Sequence, residues 1–258
     1  MIKGLAPGSI LQLMHVKRRF RRIKKGRFLE FGSGEGQLSK ILLDLGWEGV
    51  GVDMNPESCQ RNSKLNEQFC KNGRYRVICG NVVNQNFQSS FDLIISSMVI
   101  EHIPDQKLLE LFKQIKNLLS DSGFIATLVP SGMKFWSVED DIAGHVKRYE
   151  AKDIEELALK TSMNVRSIKG LTFPISNLLL PISSYLIKKQ EGWKLDLDIE
   201  EKTIKSSSRD VVGKTRFPEA LNVILNEVFM WPLYILQRVF TNSKQNMVIY
   251  FELTKTKI

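Results

Sequence analysis

Cysteine is scarce in this chain and does not pair. Cys59, Cys70 and Cys79 are an odd number, and no two form a C-x-x-C. That spacing argues against a disulfide framework or a thiolate zinc site, and reads as reduced thiols in a cytoplasmic protein. Long apolar runs are missing too. No stretch of about 20 apolar residues appears, so no membrane-spanning helix is expected. The first ten residues lack a charged region followed by an apolar one, so no secretory signal is expected. Histidine occurs only at His15, His102 and His145, which leaves few candidates for proton transfer near neutral pH. The Gly-Lys-Ser/Thr of a phosphate loop is absent, and the dinucleotide pattern G-x-G-x-x-G fails at Gln37.

Acid is missing from one stretch. Eight basic residues lie between Lys17 and Arg27 with no acid among them; without them the net charge of +9 falls to 9 − 8 = +1. The basicity is therefore local. It suits a nucleic acid, an anionic membrane surface or a phosphorylated substrate, or it is a solvated helix face. Ile10, Leu13, Met14, Phe20 and Ile23 are spaced to form the buried side of a helix over 9–25. The 258 residues are 43% hydrophobic and 25% charged, which suits one domain with one core over 1–258.

Residues 27–36 read Arg-Phe-Leu-Glu-Phe-Gly-Ser-Gly-Glu-Gly. A short apolar run meets three glycines spaced two apart. Leu38, Ile41, Leu42 and Leu45 then recur at helical spacing, predicting a helix over 37–46. Strand, glycine turn and helix open a nucleotide-binding α/β unit. Glycine lets the backbone approach a ligand closely, and the helix N-terminus offers free N–H groups. Val50 to Asp53 reads as a second strand ending in an acid. A carboxylate there can accept from both hydroxyls of a ribose. The rival role, capping the next helix, is already filled by Asn55 before Pro56. That helix is expected to run to Lys71. Further strands are expected over 74–79, 91–97, 124–129 and 163–168. Helices are expected from Leu108 to Ser122-Gly123 and over 152–162.

The stretch E-F-G-S-G-E-G at 30–36 resembles motif I of the class I S-adenosylmethionine-dependent methyltransferases. The longer F-D-L-I-I-S-S-M-V-I-E-H-I-P-D at 91–105 resembles the motif after their fourth strand, in the manner of their types 11, 12 and 23. The likeness covers about residues 25–168 plus the last strand. It implies a Rossmann-like α/β fold: a seven-stranded, mostly parallel sheet with an antiparallel last strand and helices on both faces. It also implies S-adenosylmethionine as cofactor and S-adenosylhomocysteine as product. Glu30, Gly32, Ser33, Gly34, Asp53, Met54, Asn81, Val82 and Ser97 would surround them. The family commonly has an acid at the position of Asn81, contacting the adenine amino group. The asparagine oxygen can still accept that bond, or Asn81 is a turn residue.

Asp141 to Tyr149, D-I-A-G-H-V-K-R-Y, resembles a G-H-x-R-R-Y signature in a subset of these enzymes suspected of acting on surface glycans or lipid-linked intermediates. On that likeness His145 is a general base or a substrate-positioning residue. His102 is the other catalytic candidate, or makes a structural hydrogen bond with Glu101. Lys147 and Arg148 hold an anionic group of the acceptor or are surface charge. Tyr149 packs or donates a hydrogen bond. Trp136 stacks on a sugar ring or fills an interface. Glu101-His102 with a later histidine also resembles a divalent-metal site of small-RNA 3′-end 2′-O-methyltransferases and an E-H pair of some ubiquinone-pathway O-methyltransferases. Those patterns have a further acid where this chain has Met98, so no metal centre is expected.

The last strand, Met247 to Leu253, comes about 75 residues after the sixth, at the end of a segment with no place in the likeness. Residues 170–245 read as a mainly helical cap between the cofactor-binding core (27–169) and the last strand (246–258), with 1–26 as the basic N-terminal helix. The cap is apolar over 171–187 and 217–240, with a charged, serine-rich loop over 191–216. It packs on the core, lines a site for a lipid-like acceptor, or rests on a membrane surface with help from the basic stretch.

The expected function is O-methylation of a glycan, a lipid-linked intermediate or a small metabolite, by a cytoplasmic or membrane-peripheral enzyme. An RNA methyltransferase is the rival, motivated by the basic stretch and the E-H pair. A non-catalytic lipid- or partner-binding module on the same scaffold is another, opposed by the intact Gly32, Gly34 and Asp53. A dinucleotide oxidoreductase is opposed by Gln37. If RNA is the acceptor, neutralising Lys17 to Lys25 lowers activity on RNA, and binding weakens steeply with salt. Salt-insensitive binding excludes RNA.

Overall fold

The structure is a computed structural model that describes residues 2–88, 90–198, 202 and 217–256. Its strands are β1 (Arg27–Phe31), β2 (Glu48–Asp53), β3 (Tyr75–Cys79), β4 (Phe91–Ser97), β5 (Leu119–Pro130), β6 (Met163–Leu171) and β7 (Val248–Lys255). They form one sheet in the order β3-β2-β1-β4-β5-β7-β6. The first five strands run parallel; β7 is antiparallel to both β5 and β6. The Rossmann-like expectation holds, including the hairpin of the last two strands.

Strand side chains alternate between two cores. Leu29, Phe31, Val52 and Ile94 join one cluster with α5 (Asp105–Asn117) and α7 (Ala151–Lys160). Phe28, Leu93 and Ile95 join the other with α1 (Pro7–Arg21) and α2 (Gln37–Asp44). Both faces are covered, as a parallel sheet requires.

Several boundaries differ from the sequence expectation, each for a local reason. α1 begins at Pro7, whose fixed φ suits a first helical position. It ends at Arg21, because Lys25 turns back and donates to the carbonyls of Phe20, Arg21 and Ile23 at 2.8, 3.1 and 2.6 Å. The helix expected to run to Lys71 is two, α3 (Pro56–Leu65) and α4 (Glu67–Lys71). The break is Asn66, whose side chain donates to Gly36 O at 3.2 Å and Asn62 Oδ1 at 2.9 Å. α5 stops at Asn117, five residues before Ser122, and β5 starts at Leu119, which pairs with Phe91. Asn55 does cap α3, accepting from Glu57 N and Ser58 N.

The cap is helical among the described residues: α8 (Ile175–Glu191), a 3-10 turn over Gly192–Asp196, another over Glu219–Val223, and α9 (Trp231–Val239). Residues 191–196, expected in a loop, therefore belong to helical segments. The rest of that expected loop falls mostly outside the described residues.

α1 is pinned to the sheet by charge as well as by apolar contact. Arg19 donates through Nε and Nη2 to both oxygens of Glu252, at 2.5 and 2.9 Å. Tyr250 donates to the same carboxylate at 2.6 Å. Burial alone would raise the Glu252 pKa, but the bonds from Arg19 and Tyr250 outweigh it and lower it. Arg19→Met takes the nearer cation from a buried carboxylate and leaves only Arg166, 3.4 Å away and more exposed, so the cost is at most the about 3–5 kcal/mol of a fully broken buried pair. Because the folded pKa of Glu252 is depressed, its contribution is present above the unfolded carboxylate value and fades as pH falls. Thermal unfolding of the native chain and Arg19→Met should therefore differ most at pH 7 and converge towards pH 3. A pH-independent difference would show that the cation is mere packing.

Candidate active site

The strand order reverses between β1 and β4, which is where open α/β sheets bind ligands. Two constellations meet there.

The first is the glycine turn after β1. Gly32 and Gly34 have φ of +65° and +48°, a region other residues seldom adopt. A Cβ on Gly32 would stand 2.3 Å from a methyl of Val99, so the loop after β4 packs tightly on the turn. A Cβ on Gly34 would meet no atom within 4 Å, so this backbone faces open space. Asp53, at the end of β2, holds the turn: Oδ2 accepts from Gly34 N at 2.7 Å and Oδ1 from Asn55 N at 2.9 Å. A carboxylate offers about four acceptor positions, so two remain for ribose hydroxyls. Ser33 is buried and its hydroxyl accepts from Asn62 at 3.1 Å. Met54 is exposed beside Asp53, and Ser97 is half-buried at the end of β4.

Glu30 and Asn81 differ from a simple contact role. Glu30 is buried beneath the turn, where the Ser39 hydroxyl donates to it and Tyr75 donates in turn to Ser39 at 2.8 Å. Burial pushes its pKa up to about 8 against the Ser39 bond, with the nearby Asp53 adding to the rise. Asn81 caps its own turn, its side-chain oxygen accepting from Val83 N at 3.2 Å. Val82 packs half-buried against the core.

The second constellation lines a cavity of about 460 Å³ between the cap and the carboxyl ends of β4 and β5 with the start of β7. Its apolar walls come from α8 and the 217–225 segment, including Leu179, Leu180, Leu186, Phe217 and Leu221. Ala6 to Ser9 and Gln12 close one side. The polar end holds Glu101, His102, His145 and Arg148. A capping box starts α6 (Val138–Ala143) and buries Asp140 completely. Asp140 Oδ1 lies 2.8 Å from both His145 Nδ1 and Arg148 Nε, and Oδ2 accepts from Arg148 Nη2 at 2.9 Å and Ser137 N at 2.8 Å. Burial would raise its pKa, but the bonds from His145 and Arg148 win and hold it at about 2. An ionised carboxylate only accepts, so His145 carries its proton on Nδ1. The lone pair on Nε2 then points towards Glu101, 3.9 Å away.

Glu101 is fully buried, and neither of its carboxyl oxygens has a hydrogen-bond partner. Burial, with Asp140 adding, raises its pKa to about 8 against the pull of its own backbone N–H and of Arg148. One ligand atom each of Glu101, His102 and His145 lie within 4.8 Å of one another. The His102 and His145 rings meet edge-on at 4.8 Å. A divalent cation therefore has a candidate donor set here, although the sequence reading expected none.

Only part of the substrate expectation converges. Arg148 is buried and its guanidinium is taken by Asp140 and by Ser131 O at 3.3 Å, so it steadies the Asp140–His145 pair instead of clamping an anion. Lys147 turns away to Asp105 and Asp153 at 3.5 and 3.4 Å. Tyr149 is core, donating to Ile100 O at 3.1 Å. Trp136 donates to Asp141 at 2.9 Å outside the cavity lining. Sequence reasoning missed Asp140. The S-x-x-D spacing of Ser137 and Asp140 was the available signal.

A buried acid whose folded pKa is raised favours folding below its unfolded value and loses that contribution as pH rises through about 8. Glu101→Gln should therefore raise the melting temperature more at pH 8 than at pH 4.5. Equal shifts at both would mean that Glu101 is paired in solution.

Comparisons with known proteins agree with this fold. Residues 10–168 match the sequence profile of a methyltransferase-domain family. Among curated proteins no sequence match is found. A Clostridium acetobutylicum S-adenosylmethionine-dependent methyltransferase superposes with a TM-score of 0.55 at 13% identity, over 96% of this chain and 91% of that one. Phosphoethanolamine N-methyltransferase 2 of Haemonchus contortus, bound to S-adenosylmethionine, gives 0.58 at 18% identity, over 95% and 52%. The mitomycin 7-O-methyltransferase MmcR gives 0.50 at 12%, over 61% and 50%. The chain thus spans about half the length of the latter two. The matched profile covers the glycine turn, Asp53 and the Glu101–His145 cluster together, and the chain belongs to the family of class I S-adenosylmethionine-dependent methyltransferases.

Proposed function

We propose that this S-adenosylmethionine-dependent enzyme is an O-methyltransferase whose acceptor hydroxyl is deprotonated by His145 in the cavity beneath the cap. The Asp140–His145 pair, with Nε2 turned to the cavity, carries the reading. The cofactor supplies a methyl group on a positively charged sulfur, a good leaving group. The open face at Gly34, the spare acceptor positions of Asp53, and Ser33, Met54, Val82 and Ser97 around them suit its nucleoside and amino-acid parts. The Asn81 oxygen already accepts from Val83 N, so it would bond the adenine amino group through its second lone pair. Glu30 supports the turn from below.

The remaining work is alignment and proton removal. When the methyl group is supplied to the acceptor oxygen, the proton that this oxygen loses would pass to His145 Nε2. The buried Asp140 stabilises the imidazolium that forms. Holding the two reactants in line contributes about 7–11 kcal/mol. The apolar cavity wall suits an acceptor with an apolar part: a lipid-linked intermediate, a glycan with an apolar aglycone, or a small apolar metabolite.

A second reading has its own observation, the convergence of Glu101, His102 and His145. A divalent cation bound there would take Nε2 and leave no base on His145. Manganese titration followed by electron paramagnetic resonance separates the two. Bound manganese lost in His102→Ala supports the metal; a free-ion spectrum throughout removes it.

Calorimetric titration with S-adenosylhomocysteine tests the cofactor site. Micromolar binding is expected, weakened at least tenfold in Asp53→Ala; absence of binding by the native chain sinks the enzyme reading. With an acceptor in hand, His145→Gln should lower kcat by about 10²–10⁴ and leave S-adenosylhomocysteine affinity unchanged. An unchanged kcat would remove His145 as the base.

A further inference from the structure

Most large apolar side chains that this protein exposes lie in the cap. One run of them is continuous with the cavity. Leu221 and Ile224 line the cavity and are themselves part-exposed. Val223, Val228 and Phe229 follow at 75%, 69% and 60% exposure, and Trp231 stands 42% exposed at the start of α9. Exposure of this extent on successive residues points to a partner surface.

The charge beside this ridge is net positive, with Glu227 the one acid in the groove among Lys17, Arg18 and Arg21. Arg18 lies over the Trp231 ring, 4.6 Å from its centroid. Arg18 and Arg21 line one groove with Val228 and Trp231. Lys17, in the same groove, is neutralised by Glu227 at 2.7 Å. Among the described residues Arg18, Arg21 and Arg22 make no ion pair with an acid. An RNA would be met by the cations and could stack a base on Phe229, but would gain nothing from bare Val223 and Val228. A lipid surface uses both, with apolar side chains entering the headgroup boundary and arginines meeting lipid phosphates.

We propose that the Val223–Trp231 ridge and the Arg18–Arg22 end of α1 dock on an anionic bilayer, and that a lipid-anchored acceptor enters the cavity past Leu221 and Ile224. This rests on the acceptor site placed above and names its acceptor class. Docking is peripheral: among the described residues no helix is long and apolar enough to cross a membrane. The mouth of the cavity adjoins the docked ridge, so a lipid headgroup reaches Glu101 and His145 while its chains remain near the bilayer. Both terms are needed. The cations alone give an attraction screened by salt, and the ridge alone gives no preference for lipid charge.

Flotation of the full chain with two vesicle preparations tests this: phosphatidylcholine alone, and phosphatidylcholine with about a third phosphatidylglycerol. Binding to the mixed vesicles is expected, with at least tenfold less to the neutral ones. The triple variant V223S/V228S/F229S and the pair R21E/R22E should each lower it about tenfold. All variants should keep native S-adenosylhomocysteine affinity, which shows that they fold and that the cofactor reading stands apart from this one. Equal binding to both vesicle types overturns the proposal. So does binding that the serine variant leaves intact, or tighter binding to single-stranded RNA than to mixed vesicles. Failure to bind any vesicle while S-adenosylhomocysteine still binds removes the docking surface and spares the methyltransferase.

Discussion

Asp140 lies fully buried with its two oxygens divided among Arg148, His145 and the first turn of its own helix. That division sets the chemistry of the proposed acceptor side. An isolated buried carboxylate would take up a proton, and His145 would lose the acceptor that fixes its tautomer. The Arg148 fork prevents this by keeping Asp140 ionised at neutral pH. His145 then has one nitrogen committed to the protein and one facing the cavity. Arg148 was a reasonable candidate for an anion clamp by residue type. Its guanidinium is instead consumed one step back, where it holds the pair that faces the acceptor.

A few steps away, Glu101 has the opposite environment. It is as buried as Asp140 but has no cation of its own, so its pKa moves up where that of Asp140 moves down. Two carboxyls with opposite protonation preferences beside one imidazole give the cavity both a fixed charge and a neutral acid at pH 7. The pattern of environments pushing titratable groups apart is common to acid–base sites. Here it arises from one arginine placed nearer to one acid than to the other.

The fold and the cofactor half were legible because they are local. A strand, a glycine turn and a helix occupy consecutive residues, and Asp53 ends the very next strand. Period-2 and period-3.6 patterns then carried the remaining strands and helices to within a few residues. The failures were where tertiary partners decided. Asn66 breaks a helix to reach Gly36 and Asn62, and Lys25 ends α1 by bonding its carbonyls. The acceptor half was half-legible. His145, His102 and Arg148 converge, but Lys147 and Tyr149 do not, because adjacent residues on an extended stretch point opposite ways, and Trp136, ahead of α6, is held by Asp141. Asp140 went unread because its role depends on residues five and eight positions later folding back over it. Met98 was read as the missing metal ligand. The orphaned Glu101 oxygens keep a cation site open on geometry that no spacing rule contained.

α1 joins these parts mechanically. Its N-terminal turn closes the cavity, its middle is pinned through Arg19 to Glu252 on β7, and its last turn carries the arginines beside the exposed ridge. The cap is packed on the same helix through Met14, Met230 and Tyr234. The helix that meets the outer surface is therefore tied to the strand that begins beside the proposed acceptor cavity. A cap inserted between β6 and β7 is a natural place for this. It leaves the glycine turn and Asp53 untouched, and adds apolar wall on the side of the proposed acceptor cavity. Cofactor chemistry and acceptor choice can then vary separately, which is why the first is so readable in this sequence and the second so little.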